Sequence, residues 1–420
     1  MYALEVYRLT KHFGKTAALD EVSFSVRPGE LLAVLGPAES GKTTLLRLIS
    51  GLDAPDQGSI SLNSKNIVGV PLAKRHIGLL FQNTYGLMPH LDVFENVAMP
   101  LKSSLVNKKE IKPRILSVAK TLEISHLLER KVSTLTDGER LRAALARALV
   151  KEPRLLLLDD ILVHLDTPTR LAARRLLLEI QQTMYLPCIL ATCDQPDAFA
   201  LADRVVLLND GRIQQIGSRA ELLLTPATLW AAQWLGFPPM NTLTGTLQGT
   251  YQADGLCYRV WTKGFAPLLP AKWTFILNGS HCQEVTLGIR SENIIPEWEF
   301  QEKWKPSLYV TKAQISAREW DQGKTLVQLR LPNTDEKFFA VFDISYDRLQ
   351  LGQMISVAFD PEQFCLFHPQ TQILLHAPPI PPALLKKLNG PEKRPFLEKY
   401  VRGHSLPGMD QGIQSERRNF

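Results

Sequence analysis

A glycine-bounded stretch near the N-terminus has the residue types and the spacing of a phosphate-binding loop. Residues 36–43 read GPAESGKT and fit the pattern G-x-x-x-x-G-K-[ST], with the apolar stretch LLAVL before them. Glycines let consecutive backbone N–H groups turn toward a phosphate, and the N-terminus of the following helix adds partial positive charge. The pattern therefore predicts a nucleoside triphosphate site in which Lys42 contacts the β- and γ-phosphates and the Thr43 hydroxyl binds Mg²⁺.

The predicted nucleotide contacts of this segment lie in the loop and at the start of the helix: Gly36, Pro37, Ala38, Glu39, Ser40, Gly41, Lys42, Thr43 and Thr44. Glu39 fits this role only if its side chain points outward, because a carboxylate that faced the triphosphate would repel it. The alternative is a chance pattern in an ordinary strand–turn–helix segment. A strand before the loop and a helix after it favour the phosphate site.

A second short apolar stretch, RLLLLDD at 154–160, ends in two acidic residues. Its length and uniform apolarity are typical of a buried strand, and CILATC at 188–193 has the same character. Asp159 is expected to bind Mg²⁺, because the end of an adjacent strand would face the phosphate loop. The alternative is that Asp159 caps whatever element follows.

Strands and helices alternate through residues 1–235, which predicts an α/β domain with a helical insert at about 84–150. Thr167 and Pro168 are expected to open a helix, because proline is favoured in the first helical turn.

The sequence pattern changes after GFPPMN at 236–241, where short β-rich segments alternate with turn residues. This pattern predicts a small all-β domain, or a pair of barrels, over 240–375. Residues 376–420 are rich in proline and lysine and are expected to form a flexible tail, either solvated or in contact with an anionic membrane or a partner.

Charge and cysteine content limit the classes of function. The net charge is +6, and residues 376–420 carry eight Lys or Arg against four Asp or Glu, which leaves only +2 for the rest. A basic tail rather than a basic groove argues against nucleic acid as a partner. The five cysteines show no zinc-like spacing, so reduced and mostly buried thiols are expected, and the pair His281–Cys282 is a weak metal candidate. The sequence shows no export signal and no membrane-spanning stretch.

With these motifs placed, the chain resembles the ATP-binding subunit of an ABC transporter. Phe13 lies where the family stacks an aromatic ring on adenine, and Gln82 matches the loop glutamine that joins Mg²⁺ and the γ-phosphate to the membrane subunit. LTDGERLRAALARAL at 135–149 matches the family signature, and Asp166 matches a loop that crosses the dimer interface. The resemblance implies an α/β P-loop NTPase fold, with a RecA-like core and a helical subdomain, that binds ATP and Mg²⁺.

The C-terminal half is similar to one importer branch of this family. GFPPMN, LGIRSENI at 287–294 and FDPEQFCLFHPQT at 359–371 resemble its regulatory all-β domain, an OB-like or TOBE domain. The branch serves sugars, glycerol phosphate, polyamines, iron, sulfate and molybdate. The resemblance implies a homodimer or heterodimer of ATPase subunits, peripheral on the cytoplasmic face of the membrane. Two membrane subunits and, indirectly, an extracytoplasmic substrate-binding protein are the implied partners.

The family pattern also implies a site shared between two chains. The Thr136 hydroxyl, the Gly138 N–H and the N-terminus of the following helix would contact the γ-phosphate held by the opposite chain. ATP would then close the dimer, and hydrolysis would reopen it.

The chain departs from this pattern at residues that act on the γ-phosphate. Asp137 replaces a glycine of the signature and brings a carboxylate near phosphate. Asp160 stands where a glutamate polarises the attacking water, and its side chain is one methylene shorter; the usual proline after it is Ile161. Cys193 stands where a histidine would bond the γ-phosphate, and a thiol is a weak donor. We expect Cys193 to be a small buried side chain at a strand end rather than a redox or nucleophilic group.

Three hypotheses follow from this pattern. The first is an importer ATPase with reduced turnover in which Asp160, Gln82 and Cys193 occupy the catalytic positions. The second is a regulatory ATP-binding subunit that leaves hydrolysis to a competent partner chain. The third, an ABC protein of repair or translation without a transporter, is disfavoured by the importer-like β domain and the lack of a basic groove.

Overall fold

A six-stranded, mostly parallel sheet forms the centre of the N-terminal half. The computed structural model describes residues 2–81, 84–102, 106–252, 255–262, 264–274, 277, 283–321, 323–332, 336–344 and 348–379. The sheet contains β3 (Leu31–Leu35), β6 (Ile77–Leu80), β7 (Leu155–Asp159), β8 (Cys188–Thr192), β9 (Arg204–Asn209) and β10 (Arg212–Gly217). Its order is β10-β9-β3-β8-β7-β6, and only β10 runs antiparallel to its neighbour. Every residue of β3, β7 and β8 is buried, which explains their uninterrupted apolar sequences.

The strand order corrects one expectation. Residues 155–159 were expected to lie beside the strand that leads into the phosphate loop, but β8 pairs with both β3 and β7 and separates them. Three uniformly apolar strands carry no signal that ranks them within a sheet, so the sequence alone could not place β8 in the middle.

A second, antiparallel sheet covers the first helix. It contains β1 (Leu4–Phe13), β2 (Thr16–Val26), β4 (Gln57–Leu62) and β5 (Lys65–Asn66), in the order β2-β1-β4-β5. Helix α1 (Lys42–Ser50) buries Leu45, Leu48 and Ile49 in an apolar cluster shared by both sheets. The burial of this helix fixes the phosphate loop, which immediately precedes it.

Helices surround the rest of the parallel sheet: α2 (Val93–Lys102), α3 (Lys108–Thr121), α4 (Asp137–Leu149), α5 (Thr167–Thr183), α6 (Gln195–Leu201), α7 (Arg219–Leu224) and α8 (Leu229–Trp234). Helices α2, α3 and α4 bury their apolar faces in one cluster with β7 and β8. Pro168 lies in the first turn of α5, as its sequence predicts. None of the helices in the described ranges combines the length and the apolarity needed to span a bilayer.

The C-terminal β region consists of two antiparallel five-stranded sheets. The first has the order β12-β11-β13-β19-β20 and the second β14-β18-β15-β16-β17. Their bounds are β11 (Asn241–Gln252), β12 (Gly255–Trp261), β13 (Glu284–Ile289), β14 (Ile294–Pro296), β15 (Tyr309–Asp321), β16 (Lys324–Arg330), β17 (Lys337–Phe342), β18 (Met354–Phe359), β19 (Cys365–Phe367) and β20 (Leu374–His376), with a short α9 (Phe300–Lys303). The fold class is therefore confirmed as an α/β P-loop domain followed by an all-β region consistent with an OB-like domain.

A buried asparagine joins the two C-terminal sheets. The Asn241 side chain donates to the carbonyls of Ile289 (3.1 Å) and Phe339 (2.8 Å) and accepts from the Phe339 N–H (2.6 Å). One apolar cluster fills the space between the sheets, with Phe265 against Phe359 at 4.9 Å between ring centroids. The predictions for His281, Cys282 and residues 380–420 of the tail lie outside the described residues.

Candidate functional site

The phosphate loop turns between β3 and α1 around the Lys42 ammonium. Lys42 Nζ donates to the carbonyls of Gly36 (3.0 Å) and Pro37 (2.6 Å). Both bounding glycines are required sterically, because a Cβ at Gly36 would lie 2.1 Å from the Leu208 carbonyl oxygen. At Gly41, φ is 101° and a Cβ would lie 2.4 Å from a backbone oxygen. A larger residue at either glycine would therefore displace the backbone next to the loop.

The remaining loop positions differ in exposure. Ser40 is buried, Pro37 and Thr44 are half-buried, and Ala38 and Thr43 are exposed. Glu39 adopts a left-handed conformation (φ 64°) and is also exposed. This exposure leaves space for the carboxylate to lie away from a bound phosphate.

Asp159 is a buried carboxylate beside the loop. Its side chain accepts a hydrogen bond from Thr43, yet Oδ1 is buried without a hydrogen-bond partner in the described part of the chain. Burial raises the pKa of the Asp159 carboxyl, and the Thr43 hydroxyl opposes that shift. The next helix, α5, has Asp166 and not Asp159 at its N-cap position.

These oxygens fit a magnesium ion. An unpaired buried carboxylate oxygen beside a hydroxyl supplies the hard oxygen donors that Mg²⁺ prefers. Within the described ranges, no group of three or more His, Cys, Asp and Glu side chains is arranged to hold a metal. That limit is compatible with Mg²⁺, which usually keeps waters and takes substrate phosphate oxygens as further ligands.

Asp160 lies in a left-handed turn at the end of β7. Its φ is 47°, and its N–H donates to the Ala191 carbonyl (2.9 Å). Its Oδ1 accepts from the backbone N–H of Cys193 at 3.2 Å. The carboxylate is therefore held against the segment that follows β8, and Ile161 directly after it is buried.

The Cys193 side chain is exposed, so the expectation of a buried side chain at this strand end is wrong. It leaves the sheet at the end of β8, where the apolar strand gives way to a loop. Partial burial and the Asp160 carboxylate raise the pKa of the Cys193 thiol, and Lys42 opposes the shift. The thiol is therefore neutral at physiological pH. The other described cysteines, Cys188, Cys257 and Cys365, are free and buried.

The structure brings five predicted residues to one edge of the parallel sheet: Lys42, Thr43, Asp159, Asp160 and Cys193. Burial lowers the pKa of the Lys42 ammonium, and nearby Asp160, Cys193 and Asp159 oppose that shift. The loop is also tied to β8, because the Gly36 N–H donates to the Thr192 carbonyl (3.4 Å). The arrangement can hold a polyphosphate beside two carboxylates and a neutral thiol.

The signature segment lies elsewhere, at the start of α4. Thr136 and Glu139 form the reciprocal capping box, with the Glu139 N–H donating to the Thr136 hydroxyl at 3.3 Å. Asp137 pairs with Arg140 at 3.2 Å, and Gly138 is half-buried. No hydrogen bond or ion pair in the described ranges links this segment to the phosphate loop of the same chain.

Three other predicted residues have different surroundings. Phe13 is 53% exposed at the end of β1, with Lys11 Nζ 5.6 Å from its ring centroid. Asp166 is an exposed residue at the start of α5. Gln82 lies outside the described residues.

Sequence reasoning missed two arginine networks that position the site. Arg170 and Arg174 in α5 both pair with the buried Asp197, and Arg170 also pairs with Asp194 at 2.9 Å. These contacts anchor the segment directly after Cys193. The four-residue spacing of the two arginines on α5 was a signal for a shared anionic partner.

Arg147 of α4 forms the second network. Its guanidinium donates to the carbonyls of Tyr85 (2.7 Å) and Gly86, shortly after Gln82. It lines a cleft of about 350 Å³ with Tyr85, Phe81 and Pro100. Nothing in the local sequence distinguishes this arginine from the others of α4.

Comparisons with known proteins relate the chain to one family. Residues 19–163 match the profile of a family described as ABC transporter. The chain is 33% identical to the trehalose/maltose import ATP-binding protein MalK of Thermococcus litoralis over 88% of this chain and 99% of that relative. It is 41% identical to the spermidine/putrescine import ATP-binding protein PotA of Legionella pneumophila over 56% of this chain and 64% of PotA.

Among solved structures, a dimeric bacterial ABC transporter cassette matches with a TM-score of 0.46 and 27% identity, over 51% of this chain and 97% of the cassette.

Proposed function

The chain belongs to the family of ATP-binding subunits of ABC importers, and on that premise we propose how its residues bind ATP and couple hydrolysis to transport. The family consists of ATP hydrolases coupled to transport. We assign the ATPase domain to residues 1–235, its helical insert to about 84–150, and a regulatory domain to 240–375. The meeting of Lys42, Asp159, Asp160 and Cys193 at one sheet edge carries the proposal.

ATP binds along the phosphate loop with its adenine on the exposed ring of Phe13. Lys42 exchanges its contacts with the Gly36 and Pro37 carbonyls for the β- and γ-phosphates, and the loop N–H groups surround the phosphates. Asp159 and Thr43 would hold Mg²⁺, with Gln82 as a further ligand, and a bound ion would supply positive charge against the phosphates.

A second ATPase subunit, identical or related, completes the binding site for the γ-phosphate. Thr136, Gly138 and the N-terminus of α4 from that subunit contact it across the interface, and Asp166 lies at the same interface. Closing and opening of the ATPase dimer is transmitted to two membrane subunits through Gln82 and through the cleft lined by Tyr85. The assembly works at the cytoplasmic face of the membrane, supplied by an extracytoplasmic substrate-binding protein.

Hydrolysis proceeds at a reduced rate. Asp160 is the base for the attacking water, but its carboxylate is one methylene shorter than glutamate and is held by the Cys193 N–H. A misplacement of about 1 Å lowers rates by roughly 100-fold. The neutral thiol of Cys193 is a weak donor to the γ-phosphate, whereas an imidazole would donate to the γ-phosphate and orient the attacking water.

Binding is tested first with Lys42→Ala. A Mg·ATP titration of the purified chain should give micromolar binding, on the order of the usual range for ATPases, and Lys42→Ala should weaken it at least about tenfold. The exposed Lys74, which lies outside the loop, provides the matched control Lys74→Ala. Equal affinity in all three proteins would overturn the assignment of the phosphate loop.

Turnover is tested with Asp160→Asn and Cys193→His. Asp160→Asn should lower kcat by about 100-fold or more because it removes the base, with little change in ATP affinity. Cys193→His should raise kcat by about tenfold, because it restores a strong donor at the γ-phosphate.

The neutral thiol and the short carboxylate also favour a second candidate function. In that case the chain is a regulatory subunit that uses ATP to dimerise with a competent ATPase chain. Cys193→His would then change turnover only in the presence of that chain, and a motif-complete ATPase would copurify with the protein.

A further inference from the structure

Gln195 joins the segment that carries Cys193 to a turn at the end of α8. Its amide nitrogen donates to the Trp234 carbonyl (2.7 Å), and its amide oxygen accepts from the Gly236 N–H (2.9 Å). Gln195 is the first residue of α6, two positions beyond Cys193. A single side chain thus links the phosphate site to residues 232–236, which we call the connecting turn.

Arg290, the residue after β13, holds the same connecting turn from the C-terminal β region. Its guanidinium donates to the carbonyls of Leu235 (2.8 Å) and Leu223 (2.6 Å), with a longer contact to Ala232 (3.5 Å). Gly236 adopts φ 93°, and a Cβ there would lie 3.0 Å from Arg290 Nη1. The turn is therefore closely fitted to the arginine.

The chemistry of this contact makes it stiff. A guanidinium is planar and presents its N–H donors in a fixed fork, so it cannot follow a displaced carbonyl without losing a hydrogen bond. The Arg290 side chain is half-buried, and burial lowers the pKa of its guanidinium. A shift of β13 must therefore move the connecting turn or leave buried polar groups unpaired, and the second outcome is unfavourable.

The other end of this connection reaches the reacting groups. The Cys193 N–H holds the Asp160 carboxylate at 3.2 Å. The preceding residue, Thr192, accepts a hydrogen bond from the phosphate loop at Gly36. The segment at Gln195 therefore reaches Asp160 through a single hydrogen bond, whereas it reaches Lys42 only through Thr192 and Gly36.

We propose that Gln195 and Arg290 are positioning residues that couple the C-terminal β region to the Cys193 segment, so that changes in the β region alter ATP turnover rather than ATP affinity. The proposal rests on the proposed function, because Asp160 acts as the base there. Coupling is a change at one site caused by a substitution at the other, so the test measures Cys193 and turnover in variants of both residues.

The first measurement uses the exposed Cys193 thiol as a reporter in the full-length chain. The rate of its alkylation by iodoacetamide is followed by mass spectrometry of the peptide that contains it. Gln195→Ala and Arg290→Lys should each change this rate by about 3- to 10-fold, since each loses hydrogen bonds that fix the segment. Lysine keeps the positive charge of Arg290 and guards against simple unfolding.

Gln215 provides a matched control. Its side chain bridges the Thr225 carbonyl (3.0 Å) and the Ala227 N–H (2.8 Å) in the same way, but within another turn. Gln215→Ala should therefore leave the Cys193 alkylation rate unchanged. Wild-type rates for Gln195→Ala and Arg290→Lys, or an equal change for Gln215→Ala, would overturn the coupling.

Steady-state kinetics give the second readout. Gln195→Ala and Arg290→Lys should lower kcat by about 3- to 10-fold with KM for ATP unchanged, and the double variant should lose less than the product of the two. Fully multiplicative losses would overturn the proposal. Protection of Cys193 from alkylation by Mg·ATP in the wild-type chain tests the nucleotide site separately from the coupling. No protection contradicts the proposed nucleotide site. Wild-type behaviour of the variants contradicts only the coupling.

Discussion

At the scale of single residues, Asp159 combines a functional advantage with an energetic cost. Its Oδ1 is buried without a partner among the described residues, a state that is unfavourable for a charged carboxylate in the absence of a cation. The same property makes it a good magnesium ligand. The position of Asp159 at the end of an apolar strand is visible in the sequence. The lack of a hydrogen-bond partner for its Oδ1 among the described residues is visible only in the structure.

Asp159→Asn should stabilise the protein in EDTA at neutral pH. The folded-state pKa of Asp159 lies above its usual 3.8, so the folded state binds more protons and loses stability as pH rises through that window. The variant should therefore melt higher by on the order of 1–4 °C near pH 7, while losing Mg-dependent ATP hydrolysis.

Thermal melts of both proteins across pH check this effect. The difference should disappear below about pH 3.8, where the carboxyl is protonated in the folded and the unfolded chain. Asp210→Asn, an exposed aspartate, serves as the control. A variant that melts lower at pH 7 would contradict the assignment of an uncompensated buried charge.

At the scale of elements, the start of α4 shows how an unusual signature remains a stable helix end. Asp137 occupies the first turn, where a carboxylate interacts favourably with the helix dipole. Arg140 pairs with Asp137 and donates to the Leu135 carbonyl at 3.1 Å, so a guanidinium lies beside the carboxylate. The capping box was predictable because its two residues are three apart. The ion pair between Asp137 and Arg140 is seen only in the structure.

Asp137→Asn should strengthen ATP-dependent dimerisation by about fivefold, because it removes a negative charge near the phosphate of the opposite chain. Arg140→Gln should weaken dimerisation, because it leaves that charge uncompensated. Sedimentation in Mg·ATP, with Asp160→Asn present to prevent hydrolysis, measures both effects. Glu110→Gln on α3, which also pairs with an arginine, is the control. No change in either variant would place Asp137 away from the triphosphate.

At the scale of the whole molecule, long-range contacts limit what the sequence could predict. The apolar strands, the phosphate loop, the helix at Pro168 and the change to short β segments were all readable, because each rests on local pattern. The order of β3, β8 and β7 was not readable. The role of Asn241 was hidden as well, because its partner Phe339 is 98 residues away.

Asn241→Ala should lower the free energy of unfolding by about 1–3 kcal/mol, since it removes the side chain that pairs with the half-buried N–H of Phe339 and with two carbonyls. Mg·ATP affinity should stay unchanged, because Asn241 makes no contact with the phosphate loop. Chemical denaturation and an ATP titration measure the two quantities. Asn66→Ala, at an exposed asparagine, should cost less than about 0.5 kcal/mol. A loss of ATP affinity in Asn241→Ala would contradict this separation.

The central place of β8 determines how the site responds to substitution. On one side its end receives the N–H of Gly36, and on the other its Ala191 carbonyl receives the N–H of Asp160. These two bonds at the end of β8 join main-chain atoms, so they do not depend on the identity of residue 193. Evolutionary substitution of the side chain at position 193 would therefore change the rate of ATP hydrolysis while these main-chain bonds stay in place.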